Sequence, residues 1–400
     1  MSAPEPKGKA EDMSKLAQSL SLRGVTLPNR VMVSPMCTYG TSGDGVATDW
    51  HFAHYGRLAM GGAGMVMLEA TSIDPVGRHS YADLGIWTDE QAEALGRIAG
   101  FIKAQGSVAA IQLQHAGRKS SARRPWHGGA PLTEEDIELR GEHPWQAVGP
   151  SPVAVGEGKP VPAELSAEDL PRIVQMWVDA AKRAVDAGFD IIEVHSAHGY
   201  LLNQFLSPIA NRRNDAYGGE LENRMRFPLE VISAVRAVIP EDKPLLVRIS
   251  AVDGVDEGWT LEESVIYGQR LREIGVDAID CSSGGIGGAA TMNRLARFPG
   301  FQLPLSQAVR ESSGLPTVGV GLIFKPQQAE DALEAGQADI IAIGRECLNN
   351  PNWPDMALTE LDPARSYAHW QPGIGWWLEK RESIIRTYEE EMAAAERESA

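Results

Sequence analysis

Eight short apolar runs, spaced along the chain with a longer amphipathic segment after most of them, limit the architecture more than any other feature. They are RVMVSP (30–35), GMVMLEA (64–70), VAAIQL (108–113), FDIIEVH (189–195), PLLVRIS (244–250), VDAIDCS (276–282), LPTVGVG (315–321) and ADIIAIG (338–344). Each is continuously apolar rather than alternating, as expected of strands covered on both faces. The intervening segments carry helical spacing. LPRIVQMWVDAAKRAVDAG ends on Gly188, a suitable helix stop, and Ser166 with Asp169 resembles a capping box before it. ENRMRFPLEVISAVRAVIP, TLEESVIYGQRLREIG with Thr260 as N-cap and Glu263 three residues on, and KPQQAEDALEAGQ read the same way. Eight β-then-α units predict an α/β fold of the closed (β/α)8 TIM-barrel kind. The competing open doubly wound sheet would want a Gly-rich turn after the first strand, and MCTYGTSGDG is not G-x-G-x-x-G.

One excursion breaks the rhythm, from about Gly117 to Ala163. Its Pro, Gly, Trp and charge predict a structured loop over one mouth of the barrel. The reading is one domain, residues 19–355, preceded by a disordered tail (1–18). A C-terminal extension (356–400) follows, Trp-rich and then helical over LEKRESIIRTYEEEMAAAERESA, expected at a subunit interface. At 400 residues and net charge −17, the chain repels phosphate backbones and anionic lipid, so neither nucleic acid nor membrane is an expected partner. Cys37, Cys281 and Cys347 are odd in number and dispersed, which points to a reducing, cytoplasmic location. The N-terminus lacks the apolar stretch of a secretory signal, and no apolar run reaches the ~20 residues of a membrane span.

In a parallel barrel the active site forms at the C-terminal strand ends. Those ends carry SPMCTY, Glu69 and Ala70, Gln112 and Gln114 before HAGRK, EVHSAHGY, Arg248, CSSGG, Gly319 and Gly321, and Gly344 with Arg345. Gly-rich turns after strands seven and eight suit a phosphate, with Arg345 to fork two of its oxygens. The bland reading is two tight turns. Arg248 lies mid-strand, where an unpaired charge is costly, so it wants a carboxylate such as Glu193 or Asp280, or an electron-rich ligand. With Gln112 it would suit a flat heterocycle of alternating donors and acceptors.

His195 and His198 are three apart at a strand-to-loop corner, and Tyr200 follows. Helical zinc sites space histidines four apart and add a third ligand, which this corner lacks. No metal is expected. Two imidazoles on one turn can converge on a carbonyl or oxyanion, with Tyr200 placed to give a proton to the adjacent carbon.

These stretches resemble the Old Yellow Enzyme family of FMN-dependent ene-reductases, its thermophilic-like bacterial class in particular. The matching segments are LPNRVMVSPMCTY, IQLQHAGRK, EVHSAHGYLLNQFLSPIANRRNDAYGGELENRMRFPLEV, LLVRIS and IIAIGRECLNNPNWP, over roughly residues 20 to 355. The resemblance implies a TIM barrel holding FMN, reduced by NADPH or NADH, that reduces alkenes conjugated to a carbonyl or nitro group. Ser34, Pro35 and Met36 would meet the flavin through backbone, and Cys37 would sit beside the ring and tune its potential. Ala70, Gln112 and Arg248 would line the ring, and Gly321, Gly344 and Arg345 would hold the phosphate. His195 and His198 would bind the substrate oxygen, Tyr200 would donate the proton and Tyr39 would face the substrate. Members of this class often insert a C-terminal Arg into a neighbour's site. Here SYAHWQPGIGWWLEKR offers Trp370 or Trp377 instead, in a homodimer or homotetramer. The loop GGIGGAATMNR bears on substrate size.

Alternatives are a relative acting on nitroesters, a dienoyl-CoA reductase, a silent flavin-binding protein and a barrel aldolase. The second would need a cysteine cluster and a second domain, and the last a strand-end lysine; the chain shows none of these.

Overall fold

A computed structural model describes residues 13–287 and 295–399. All eight apolar runs form strands: β1 Val31–Val33, β2 Met65–Ser72, β3 Val108–Gln114, β4 Ile191–Ser196, β5 Leu245–Ser250, β6 Ala278–Ser282, β7 Thr317–Gly319 and β8 Ile340–Ile343. They close in sequential order, β8 pairing β1, and the pairs are parallel. The surrounding helices are α1 Asp49–Ala59, α2 Asp89–Ala104, α3 Leu170–Asp186, α4 Leu221–Val238, α5 Leu261–Glu273, α6 Leu303–Ser313, α7 Pro326–Glu334 and α8 Trp353–Leu361. This is a TIM barrel, as the alternation predicts.

α3 shows how the sequence makes the outer layer. Leu170, Ile173, Trp177, Ala181 and Ala184 recur at helical spacing and are buried against the barrel. Gly188, at φ +90°, ends the helix in a conformation other residues avoid. Ser166 and Asp169 do exchange bonds, Ser166 Oγ donating to Asp169 Oδ2 at 2.7 Å and Asp169 N to Ser166 Oγ at 3.3 Å. The regular helix starts one residue after that pair, at Leu170. Thr260 and Glu263 cap α5 as expected.

Inside, the barrel is divided by height. Met32, Met65, Met67, Ala110, Ile191, Leu246, Ala278, Val318 and Ile340 fill its lower layer. Leu22 and Leu27, from an antiparallel hairpin of Leu20–Leu22 and Val25–Leu27, join that cluster and seal the N-terminal mouth. The polar side chains lie above, which leaves the C-terminal mouth as the place for chemistry. The excursion folds across that end: Arg118 Nη2 donates to Ile286 O at 2.7 Å, and Trp145 Nε1 to Val76 O at 3.0 Å.

Two boundaries differ from the sequence reading. The ordered chain starts earlier than residue 19, because Lys15–Ala17 forms a 3-10 turn in which Leu16 is fully buried and its N–H donates to Glu330 Oε2 at 2.8 Å. The rest of the expected tail, residues 1–12, lies outside the described residues, as does 288–294 of the GGIGGAATMNR loop. At the other end α8 belongs to the barrel, with Ala357 and Leu358 buried, and the terminal helix starts at Pro372 rather than Leu378. Among the described residues no helix is long and apolar enough to cross a membrane.

Candidate functional site

The strand register builds the site's floor. Gln112 of β3 lies beside Glu193 of β4, and His195 of β4, Arg248 of β5 and Asp280 of β6 are successive neighbours. All five are buried. Gln112 Nε2 donates to Glu193 Oε1 at 2.7 Å, and Arg248 Nε lies 3.3 Å from Asp280 Oδ2. Two carboxyls therefore share one guanidinium out of water. Burial, with Asp280 adding to it and Arg248 opposing, raises the Glu193 carboxyl to about 8. Burial also raises Asp280, again against Arg248. Glu193 Oε2, both Asp280 carboxyl oxygens, Arg248 Nε and His195 Nδ1 have no hydrogen-bond partner among the described residues. Buried polar atoms are nearly always satisfied, so this concentration marks a place built for a polar, planar ligand.

His195 and His198 stand over that floor. His195 Nε2 and His198 Nδ1 face each other at 3.4 Å. Ser282 Oγ lies 2.7 Å from His198 Nε2 and donates to Gln302 Oε1 at 3.4 Å. His195 Nδ1 is the buried orphan; placing the proton on Nε2 avoids burying an unpaired N–H. The facing nitrogens place both rings within reach of a single oxygen. Burial holds both rings well below the usual histidine range, with the Arg248 charge adding to it, so they are neutral. His198 is locked in place at φ +57°, with its N–H on Ser250 Oγ at 2.8 Å and its carbonyl receiving Lys119 Nζ at 2.7 Å. Burial pulls that lysine down to about 7. Tyr200 is buried, its ring perpendicular to His195 with centroids 5.0 Å apart. Burial, then Cys37 and Tyr39, keep the phenol well above its ordinary range, so it holds its proton.

The opposite wall comes from β1 and β2. Cys37 packs on a buried cluster of Ala70, Ala116 and Tyr200. Burial and the nearby Asp83 and Glu69 carboxyls push its thiol up, so it is a neutral SH. Tyr39, at φ +56°, lies edge-on to His79 at 6.5 Å and to Trp126 of the excursion at 5.7 Å. Glu69 positions this wall from behind. Where the β2 register shifts, it accepts from Thr38 N and Thr38 Oγ1 at 2.6 Å each and from Tyr55 Oη at 3.0 Å.

Burial raises the Glu69 carboxyl to about 7, against those hydrogen bonds. The folded chain thus keeps a proton that the unfolded chain releases, and stability is lost as pH rises from about 4.5 to about 7. Glu69→Gln has no such proton. Across that window its urea midpoint should move in its favour relative to the parent, by up to ~1.4 kcal/mol per pH unit. A pH-independent difference would remove this assignment.

The turns after β7 and β8 are neighbours because those strands pair. Gly321 takes φ +128°, open to glycine alone, and Gly344 opens the short helix Arg345–Asn349, with Arg345 exposed. Gly344 also approaches β1: a Cβ there would lie 3.5 Å from Met36 Sδ and 3.8 Å from Ser34. Ser34, buried, continues the β1–β8 ladder through its N–H to Ile343 O at 3.0 Å, and Pro35 and Met36 follow half-buried. Trp370 stands apart from this assembly. Its Nε1 donates to Thr359 Oγ1 at 3.1 Å, and its neighbour Gln371 bonds to Gln105, which leads into the N-terminal end of β3. Within its own chain it therefore sits toward the far face of the barrel.

Ser250, Ser282, Lys119 and His79 are the residues that the sequence reading left without a role. A strand-final serine on β5 and another on β6 were the available signal for the first two.

The orphaned donors and acceptors on β4–β6 match the polar edge of an isoalloxazine, and the two glycine turns with Arg345 match a phosphate, so the residues present fit FMN. Residues 15–362 match the NADH:flavin oxidoreductase / NADH oxidase family. The chain is 44% identical over 340 residues to an NADPH dehydrogenase of Geobacillus thermodenitrificans, covering 85% of this chain and 92% of the relative. It is 42% identical over 350 residues to an NADPH dehydrogenase of Listeria monocytogenes, covering 87% and 96%. The solved structure of morphinone reductase superposes with a TM-score of 0.71 at 29% identity, covering 87% of this chain and 90% of that one. This chain is thus an oxidoreductase of the NADH:flavin oxidoreductase / NADH oxidase family, the FMN-dependent group of the Old Yellow Enzymes.

Proposed function

We propose that this protein is an ene-reductase, using NADPH or NADH to saturate C=C bonds conjugated to a carbonyl or nitro group. The observation that carries this is the pair of neutral imidazoles, their facing nitrogens 3.4 Å apart, beside a buried, protonated phenol. That arrangement grips the oxygen of an activated alkene and polarises it, leaving Tyr200 to protonate the α-carbon. Bound FMN supplies the two-electron chemistry that links nicotinamide to alkene. Ser34, Pro35, Met36, Cys37, Ala70, Gln112 and Arg248 would surround its ring and Gly321, Gly344 and Arg345 its phosphate, while Tyr39 faces the substrate. NADPH consumption and product analysis with cyclohex-2-enone, N-methylmaleimide and a nitroalkene test this. Saturated products support it; turnover of nitroesters alone would favour the alternative chemistry, and no turnover a silent flavoprotein.

Cys37 is assigned as a tuning residue. As a neutral thiol it is a weaker hydrogen-bonding neighbour than a hydroxyl. Cys37→Ser and Cys37→Ala should retain FMN yet shift its midpoint potential, read by dye equilibration; an unchanged potential in both would reduce Cys37 to packing.

The cytoplasm suits three dispersed free thiols. A homodimer or larger assembly suits the Pro372–Ser399 helix, on which Trp377, Ile384, Tyr388 and Met392 share one exposed face. Trp377, 68% exposed, is more available to a neighbour than Trp370, which is tied to its own Thr359. Light scattering should find an oligomer that Trp377→Asp with Ile384→Asp reduces to monomer; a monomeric parent would dismiss the interface.

A further inference from the structure

His79 occupies the pocket wall without a role in the chemistry above. The site's rings form a continuous arc: His198 against His195 at 5.1 Å, His195 against Tyr200 at 5.0 Å, Tyr200 against His79 at 6.0 Å, and His79 against Tyr39 at 6.5 Å. His79 is thus the next polar group beyond the proton donor, on the side away from the oxygen-binding pair. It is held there by design of the local chain. Its N–H donates to Asp83 Oδ2 at 2.7 Å, Ser80 Oγ ties the other carboxyl oxygen at 2.6 Å, and its carbonyl receives Ala122 N of the excursion at 2.8 Å. Thr41 N to Ala82 O, at 3.1 Å, joins the same turn to the loop bearing Tyr39.

The imidazole's protonation follows from its surroundings. Burial lowers it, Asp83 opposing and Lys119 assisting, so it is neutral. Nδ1 is buried with no partner among the described residues. An orphaned acceptor costs less than an orphaned N–H, so the proton belongs on Nε2. His79 is then a fixed, neutral donor.

We propose that His79 is a second hydrogen-bond site for alkenes activated at both ends, such as ene-diones. Resting on the ene-reductase reading, the order along the arc matches such a molecule. The first oxygen lies on His195 and His198, the α-carbon at Tyr200, and the far acceptor on His79 Nε2. A singly activated enone places only carbon there and gains nothing from the donor.

The test compares 5,5-dimethylcyclohex-2-ene-1,4-dione, which cannot aromatise, with 5,5-dimethylcyclohex-2-enone in FMN-loaded parent, His79→Phe, His79→Met and His79→Gln. Losing one neutral hydrogen bond should raise KM for the dione roughly tenfold in the Phe and Met variants, with kcat and both enone constants within about twofold. Gln, which keeps an N–H, should restore most of the dione KM. Using two donor-free variants keeps the comparison open if one folds poorly. Equal effects on both substrates, or none, would overturn the proposal while leaving the ene-reductase reading intact. A parent that reduces neither substrate would overturn both.

Discussion

Replacing Tyr200 with Phe should slow reduction of cyclohex-2-enone by ~10²- to 10⁴-fold, the usual worth of a positioned proton donor. The ring's packing on Cys37, Ala70 and Ala116 is retained, so the fold should be unaffected. Reduction of the protein by NADPH requires no proton from this residue and should change little. A nitroalkene should also be affected far less, because its nitronate is stable enough to leave before it is protonated. His195→Ala should behave differently. It removes one of the two facing imidazoles, and both half-reactions should slow if the nicotinamide amide uses the same cradle. Stopped-flow traces of the separate half-reactions distinguish these outcomes. Parental enone rates in Tyr200→Phe would transfer the proton to solvent or to Tyr39.

Arg248→Met should be the most damaging change to the folded state, because Arg248 is the cation shared by Glu193 and Asp280 inside the barrel. Removing one member of a buried charged set typically costs 3–5 kcal/mol. The sign of the pH dependence follows from the carboxyls. Arg248 holds both down against burial. Without it they bind protons still more tightly, and the variant must either stay protonated or bury bare charge as pH rises. The loss in urea midpoint should therefore be larger at pH 9.5 than at pH 6.5, because the parent's Glu193 ionises from about 8 and the variant's cannot, and purified protein should carry less FMN. A pH-independent loss below 1 kcal/mol would mean that water or the backbone neutralises the pair.

Much of this was legible in sequence for local reasons. A strand covered on both faces has to be continuously apolar, and β1–β8 all announce themselves that way. Charge or hydrogen-bonding groups at the strand ends, such as Gln112, His195 and Arg248, contradict burial and so stand out. What was hidden depends on neighbours far apart in the chain. Ser282 reaches His198 only because β4, β5 and β6 lie side by side. His79 reaches Tyr200 through a turn tied to Asp83, to Thr41 and to Ala122, none of which has a periodic signature. Leu16 reads as part of a polar tail until the Glu330 carboxylate is seen to accept from its N–H. Trp370 looked unsuited to packing because its segment is polar and glycine-rich, yet its indole is anchored by Thr359, a contact invisible without α8 in place.

An anaerobic cycle shows whether the His195–His198–Tyr200 corner passes electrons taken from nicotinamide to an activated alkene. The FMN-loaded protein is bleached with one equivalent of NADPH, then mixed with cyclohex-2-enone while the visible spectrum and the organic product are followed. The oxidised spectrum should recover fully, with one equivalent of cyclohexanone formed per flavin. A protein that stays bleached with enone and recovers only on admitting oxygen would contradict it.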